Sequence, residues 1–115
     1  MCQEISKIER NSKGMIDVCL TYGEVELEAF WRAFTWIQKT YKGKDPDCWH
    51  NAFNKPGGIF MDLGHGTGKG VLIGSLIHQF ERSCGIEFLQ NLHTESTKLK
   101  AKYDEYIDEV NELEY

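Results

Sequence analysis

The chain is short of the features that mark several large classes of protein. No apolar run approaches the roughly 20 residues that a membrane-crossing helix needs, so no membrane partner is expected. The start, Met1-Cys2-Gln3-Glu4, lacks the basic-then-apolar stretch of a secretory signal, which makes an intracellular location the expectation. Four cysteines, Cys2, Cys19, Cys48 and Cys84, form no Cys-x-x-Cys pair. Cys48 stands near His50, but no second pair follows at zinc-site spacing, so reduced thiols and no metal are expected. Bases are outnumbered, 13 Lys and Arg against 18 Asp and Glu, for a formal net charge of −5. That balance provides no overall attraction to nucleic acid; any such contact would need a local basic patch. There is no internal repeat, no low-complexity tract, no catalytic triad and no metal-ligand cluster.

What remains is ordinary soluble composition, 41% hydrophobic and 27% charged over 115 residues. Such a length suits one small domain. Residues 1–20 read weakly, with apolar Ile5, Ile8, Met15, Ile16, Val18 and Leu20 and a turn suggested at Asn11-Ser12-Lys13-Gly14. A strong helical pattern follows Thr21-Tyr22-Gly23-Glu24. Leu27, Phe30, Trp31, Phe34 and Ile37 recur at spacings of three and four and share one face. Glu24, Glu26 and Glu28 fall in the first turns, where acids favour the positive end of the helix dipole. Residues 43–57 read as a loop anchored by Trp49 and Phe53.

From residue 59 the order becomes strand, glycine loop, helix, strand, helix. The first strand is Ile59-Phe60-Met61-Asp62-Leu63, and the loop is Gly64-His65-Gly66-Thr67-Gly68-Lys69-Gly70. The next helix should carry Val71, Leu72, Leu76 and Phe80, and the second strand Ser83-Cys84-Gly85-Ile86-Glu87. A last helix should begin near Leu89, with a stripe at Leu92, Ser96, Leu99, Tyr103, Ile107 and Val110. Asp104 to Tyr115 holds six acids and no base, which reads as a solvated helix end. This is a βαβ unit with one further helix.

The glycines of such a loop have distinct tasks. A sharp turn favours glycine at Gly64, close approach of a ligand excludes a side chain at Gly66, and tight helix packing suits Gly68 and Gly70. A crevice at the carboxyl end of a sheet strand is where nucleotide-like ligands bind. The spacing 64, 66, 68 differs from the Gly-x-Gly-x-x-Gly of dinucleotide enzymes, and no Gly-Lys-Ser/Thr follows to make a P-loop. Glu87, 19 residues after Gly68, is placed to accept both ribose hydroxyls. Asp62, just ahead of the first glycine, can hold water or an amino group. A ligand with adenosine and an amino-acid tail but no pyrophosphate, S-adenosylmethionine, matches both carboxylates. The competing readings are a glycine-rich tight turn of unrelated function and a dinucleotide site with a variant loop.

Met61-Asp62-Leu63-Gly64-His65-Gly66-Thr67-Gly68 resembles the first motif of class I methyltransferases, and Gly85-Ile86-Glu87 resembles their second. Upstream, Tyr22-Gly23-Glu24, then a helix, a loop and the glycine motif follow the order of the disruptor-of-telomeric-silencing family of histone H3 lysine methyltransferases. Gly85-Ile86-Glu87-Phe88-Leu89-Gln90-Asn91-Leu92-His93 is similar to that family's second motif and following helix. The resemblance spans about residues 20–105.

It implies an α/β chain carrying an incomplete Rossmann-like class I methyltransferase fold, a glycine-loop βαβ unit preceded by a helical N-terminal segment. The expected division is residues 1–20 as that segment and 21–115 as a partial S-adenosylmethionine-binding domain. By resemblance the cofactor is S-adenosylmethionine, held by Tyr22, Gly23, Glu24, Asp62, Gly64, His65, Gly66, Gly68 and Glu87. Tyr22, Gly23 and Glu24 would line the methionine end, although Thr21-x-x-Glu24 also reads as a capping box alone. His65 would serve through its backbone, its imidazole solvated.

The expected function is protein lysine N-methylation on histone H3, with a nuclear location. The alternatives are a small-molecule or RNA acceptor, or a non-catalytic cofactor-binding or interaction module. Third and fourth class I motifs, the adenine-stacking segment, the family's basic nucleosome-facing tail and the acceptor-channel residues find no counterpart. The chain is therefore expected to be a fragment or degenerate copy, feebly active alone and open to self-association through an unpaired sheet edge.

Overall fold

A computed structural model of the chain describes residues 1–15, 23, 25–40 and 55–113, with side-chain environments given as far as Val110. In chain order the elements are α1 (Cys2–Ser12), α2 (Leu27–Thr40), β1 (Ile59–Leu63), α3 (Lys69–Ile77), β2 (Arg82–Ile86) and α4 (Gln90–Leu113). The two strands pair in parallel, from Ile59 opposite Arg82 to Leu63 opposite Ile86. The architecture is mixed: four helices and a small parallel sheet among the described residues, compatible with an incomplete α/β fold. No helix among the described residues is long and apolar enough to cross a membrane.

Strand alternation gives the sheet two unlike faces. Phe60 and Asp62 point with Ser83 and Gly85 toward α3. A side chain on Gly74 of α3 would meet the Phe60 ring at 2.9 Å, and one on Gly70 would meet the Asp62 carboxylate at 2.5 Å. Both glycines therefore let α3 lie against β1. Beyond Phe60, the Phe30, Phe34 and Phe80 rings gather from α2 and the turn after α3, with centroids 5.6–6.1 Å from that of Phe60. These separations are typical of tilted and edge-on aromatic contacts. Phe34 and Ile73 are the buried side chains of this cluster and the helix beside it. The other face bears Ile59, Met61, Leu63 and Ile86, all more than half exposed.

Several helix expectations need correction. On α2, Phe34 is buried and Phe30 and Ile37 half-buried, but Leu27 and Trp31 are 60% and 58% exposed. The helix meets α3 and the sheet through a narrower stripe than its apolar residues suggest. Its first residue is Leu27, and Phe30 N–H donates to the Glu26 carbonyl at 3.0 Å. Thr21 and Glu24, the residues of the expected capping box, lie outside the described residues. In α3, His78 adopts an extended conformation and ends the helix at Ile77. Phe80 therefore reaches the aromatic cluster from a turn, while Leu76 is exposed and the unassigned Ile73 is buried. β2 is shifted by one residue from the expected span, leaving Glu87 just past its end.

The α4 stripe matches its expected residues, with Leu92 1% exposed and Ser96, Leu99, Tyr103, Ile107 and Val110 half-buried. α1 runs to Ser12, and Gly14 adopts φ 68° in the turn expected there. Its buried residues are Ser6 and Glu9, one turn apart, and the helix packs against α4. The expected anchors Trp49 and Phe53, with Cys19, Cys48 and His50, lie outside the described residues. Cys2 and Cys84 are half-buried free thiols.

Candidate functional site at the end of the parallel strands

The glycine loop folds back onto the end of β2. Gly64 and His65 both donate their N–H to the Ile86 carbonyl, at 2.8 and 3.2 Å. Gly66 donates its N–H to Glu87 Oε2 at 2.8 Å, and Gly68 donates to the His65 carbonyl at 2.8 Å. This path needs left-handed backbone at Gly64, Gly66 and Gly68, with φ of 82°, 57° and 84°, which glycine alone adopts readily. The requirement for glycine at alternate positions is thus a requirement of conformation.

Glu87 is the hinge of the arrangement. Its second oxygen accepts the N–H of Leu89 at 2.7 Å, so one half-buried carboxylate ties the glycine loop to the start of α4. Phe88, between them, is 72% exposed. Three successive loop N–H groups face the end of β2, and no cradle of free N–H groups is left at Gly64, His65 and Gly66 to receive a phosphate. A carboxylate already stands there.

The other expected site residues divide. Asp62 lies on the α3 side of the sheet, its carboxylate against Gly70 in the first turn of that helix, where negative charge is favoured. Gly68 approaches α4, its missing Cβ falling 3.1 Å from Ser96 Cβ; the close packing it permits is against α4 and not against the strand. His65 departs from the expected solvated imidazole. The ring is half-buried, packed where Gly85 has no side chain, with its centroid 5.9 Å from that of His93 and its Nδ1 shielded from solvent. Gly23 is exposed, with nothing within 4 Å of where its Cβ would stand. Tyr22 and Glu24 lie outside the described residues. The structure therefore joins Gly64, His65, Gly66 and Glu87 by direct bonds, sets Asp62 and Gly68 to either side, and leaves Gly23 apart.

A residue that the sequence reading passed over completes the site. Leu89 caps α4, its carbonyl accepting the first helical bond from His93 at 3.0 Å, but leucine has no side-chain acceptor for the helix N–H groups, and the first turn of α4 carries no acid. Glu9 of α1 fills the gap. Its two oxygens accept the N–H groups of Gln90 and Asn91 at 2.8 and 2.9 Å, and Lys13 Nζ lies 2.7 Å away. Burial raises the Glu9 pKa, but Lys13 and the two helix N–H groups outweigh it and hold the carboxyl below its ordinary value. Lys13 also lies 5.4 Å from the centre of the Phe88 ring. The available signal was the poor cap at Leu89; nothing local pointed to Glu9, 81 residues earlier than Gln90.

A cleft of about 410 Å³ opens farther along, between Leu72 and Ser75 of α3, Ser83 of β2, and Thr97, Lys100 and Tyr103 of α4. It shares His65 and Gly68 with the expected site, but neither Glu87 nor Asp62 lines it. Among the described residues no three His, Cys, Asp or Glu side chains are grouped to hold a metal ion. Comparison of the chain with protein-family models, with curated proteins and with solved structures finds no match.

Proposed function

We propose that the chain binds S-adenosylmethionine at the ends of β1 and β2 and serves methyl transfer, with a lysine of histone H3 as acceptor. One observation carries the cofactor reading: Gly66 N–H is bonded to the Glu87 carboxylate at 2.8 Å. A pyrophosphate would meet an anion there and find the N–H groups of Gly64, His65 and Gly66 taken. A nucleoside with a cationic sulfonium and no phosphate meets neither obstacle, and a carboxylate oxygen that accepts one N–H retains a lone pair for a ribose hydroxyl. The Glu87 carboxylate suits the ribose of such a ligand.

In this reading Glu87 holds the ribose and Gly64 and Gly66 let the ligand lie close to the backbone. Asp62 steadies α3 and would hold the amino group of the amino-acid tail. The methionine end falls to Tyr22, Gly23 and Glu24 by resemblance. Bound S-adenosylmethionine supplies a methyl group already activated for transfer, so the protein's share is alignment and exclusion of water. The lysine acceptor, the histone partner, the nuclear location and self-association at the sheet edges rest on the sequence resemblance and on the sheet's two unpaired edges among the described residues.

A second reading is favoured by the open sheet face of Ile59, Met61, Leu63 and Ile86. A parallel sheet is normally covered on both faces, so this one suits a non-catalytic module that works against another surface. Thermal unfolding with added ligands tests the cofactor reading. S-adenosylhomocysteine at 100 times its dissociation constant should add about 2.7 kcal/mol of stability, whereas NADH should add none. A shift with NADH and none with S-adenosylhomocysteine would reverse the assignment.

A further inference from the structure

The start of α4 is held by two carboxylates from distant parts of the chain. Glu87 accepts the N–H of Leu89, and Glu9 accepts those of Gln90 and Asn91. Three consecutive N–H groups at a helix N-terminus are thereby satisfied, with no contribution from a side chain of the helix itself. Glu9 is 6% exposed, and its charge is balanced by Lys13. The other oxygen of Glu87 is left to Gly66.

That division of labour has a consequence for the site. Without Glu9, the N–H groups of Gln90 and Asn91 would be unpaired next to a carboxylate that already touches the same turn. An unmade hydrogen bond in a half-buried place is costly, and the positive end of α4 attracts negative charge. Glu87 would then turn toward α4 and withdraw from Gly66. We propose that Glu9 is a positioning residue: by closing the first turn of α4 it keeps Glu87 aimed at the glycine loop, and so at the ligand. The inference rests on the reading of Glu87 as the ribose-binding carboxylate. α1 is therefore part of the site's construction and not an appendage to it, and Lys13 supports it by neutralising Glu9.

The test uses the full chain with Glu9→Ala, Glu9→Gln, Glu87→Ala and the Glu9→Ala/Glu87→Ala pair. The amide resonance of Gly66 is followed by NMR without ligand, and affinity for S-adenosylhomocysteine by calorimetry. Glu9→Ala should shift the Gly66 amide and weaken binding about tenfold, the loss of one hydrogen bond to a charged group. Glu9→Gln, which keeps one acceptor oxygen on the same stem, should restore part of both. In the Glu87→Ala background, Glu9→Ala should cause no further loss of affinity. A Gly66 resonance unmoved in both Glu9 variants, or the same weakening with and without Glu87, would overturn the inference. If Glu9→Ala does not fold, Glu9→Gln must still displace the Gly66 resonance. Failure of the unaltered chain to bind S-adenosylhomocysteine would defeat the cofactor reading, while the Gly66 amide would still decide whether Glu9 steers Glu87.

Discussion

The two faces of the small sheet are built from the same strands and have opposite fates. One carries Phe60, which packs with Phe30, Phe34 and Phe80 and lets α3 approach through Gly74. The other presents Ile59, Met61, Leu63 and Ile86 at 53–76% exposure. Hydrophobic sequence is therefore a poor guide to which residues stabilise the described fold. Strands of parallel sheets are normally buried on both sides, yet here only one side has a partner among the described elements. The difference also locates the candidate site, because the covered side brings α3 and α4 to the strand ends where Glu87 and the glycine loop meet.

Substitutions on the two faces sharpen this contrast. The largest effect belongs to the covered side. Phe34→Ala should destabilise the chain by about 3–5 kcal/mol, read as a lower urea midpoint, because Phe34 is 6% exposed and touches three rings. The smallest belongs to the open side. Leu63→Ser, at a residue 76% exposed, should change stability by no more than about 0.5 kcal/mol. A loss at Leu63 as large as that at Phe34 would show that the outer face is covered in solution, and a concentration-dependent midpoint would identify a second copy of the chain as the cover.

Much of this was legible in the sequence. The span Ile59–Leu63 and the alternate glycines follow from rules that act over a few residues. The α4 stripe follows from helical period, as does the buried place of Phe34 on α2. What escaped was set by contacts distant along the chain. The apolar periodicity of α2 includes Leu27 and Trp31 but does not say how wide a stripe its neighbours will cover. His65 was read as solvated because nothing local shows that Gly85 leaves a slot for its ring. Glu9 reads as one more acid in a weak segment, and its role appears only when α1 lies beside a helix that begins with the poorly capping Leu89. Gly66 was assigned to a ligand's approach, and its bond to Glu87 adds a second reason for the loop's shape.

The most direct measurement is the affinity of the Glu87→Ala chain for S-adenosylhomocysteine, by calorimetry under conditions where the variant is shown by circular dichroism to be folded. Glu87 also holds Gly66 and Leu89, so Glu87→Gln, which keeps one acceptor oxygen, serves as the control for loop shape. The alanine variant should lose roughly one to two decades in affinity, the value of a hydrogen-bonded charged acceptor, and the glutamine variant less. Unchanged affinity in the folded Glu87→Ala chain would contradict the ribose-binding role and reduce Glu87 to a tie between the glycine loop and α4.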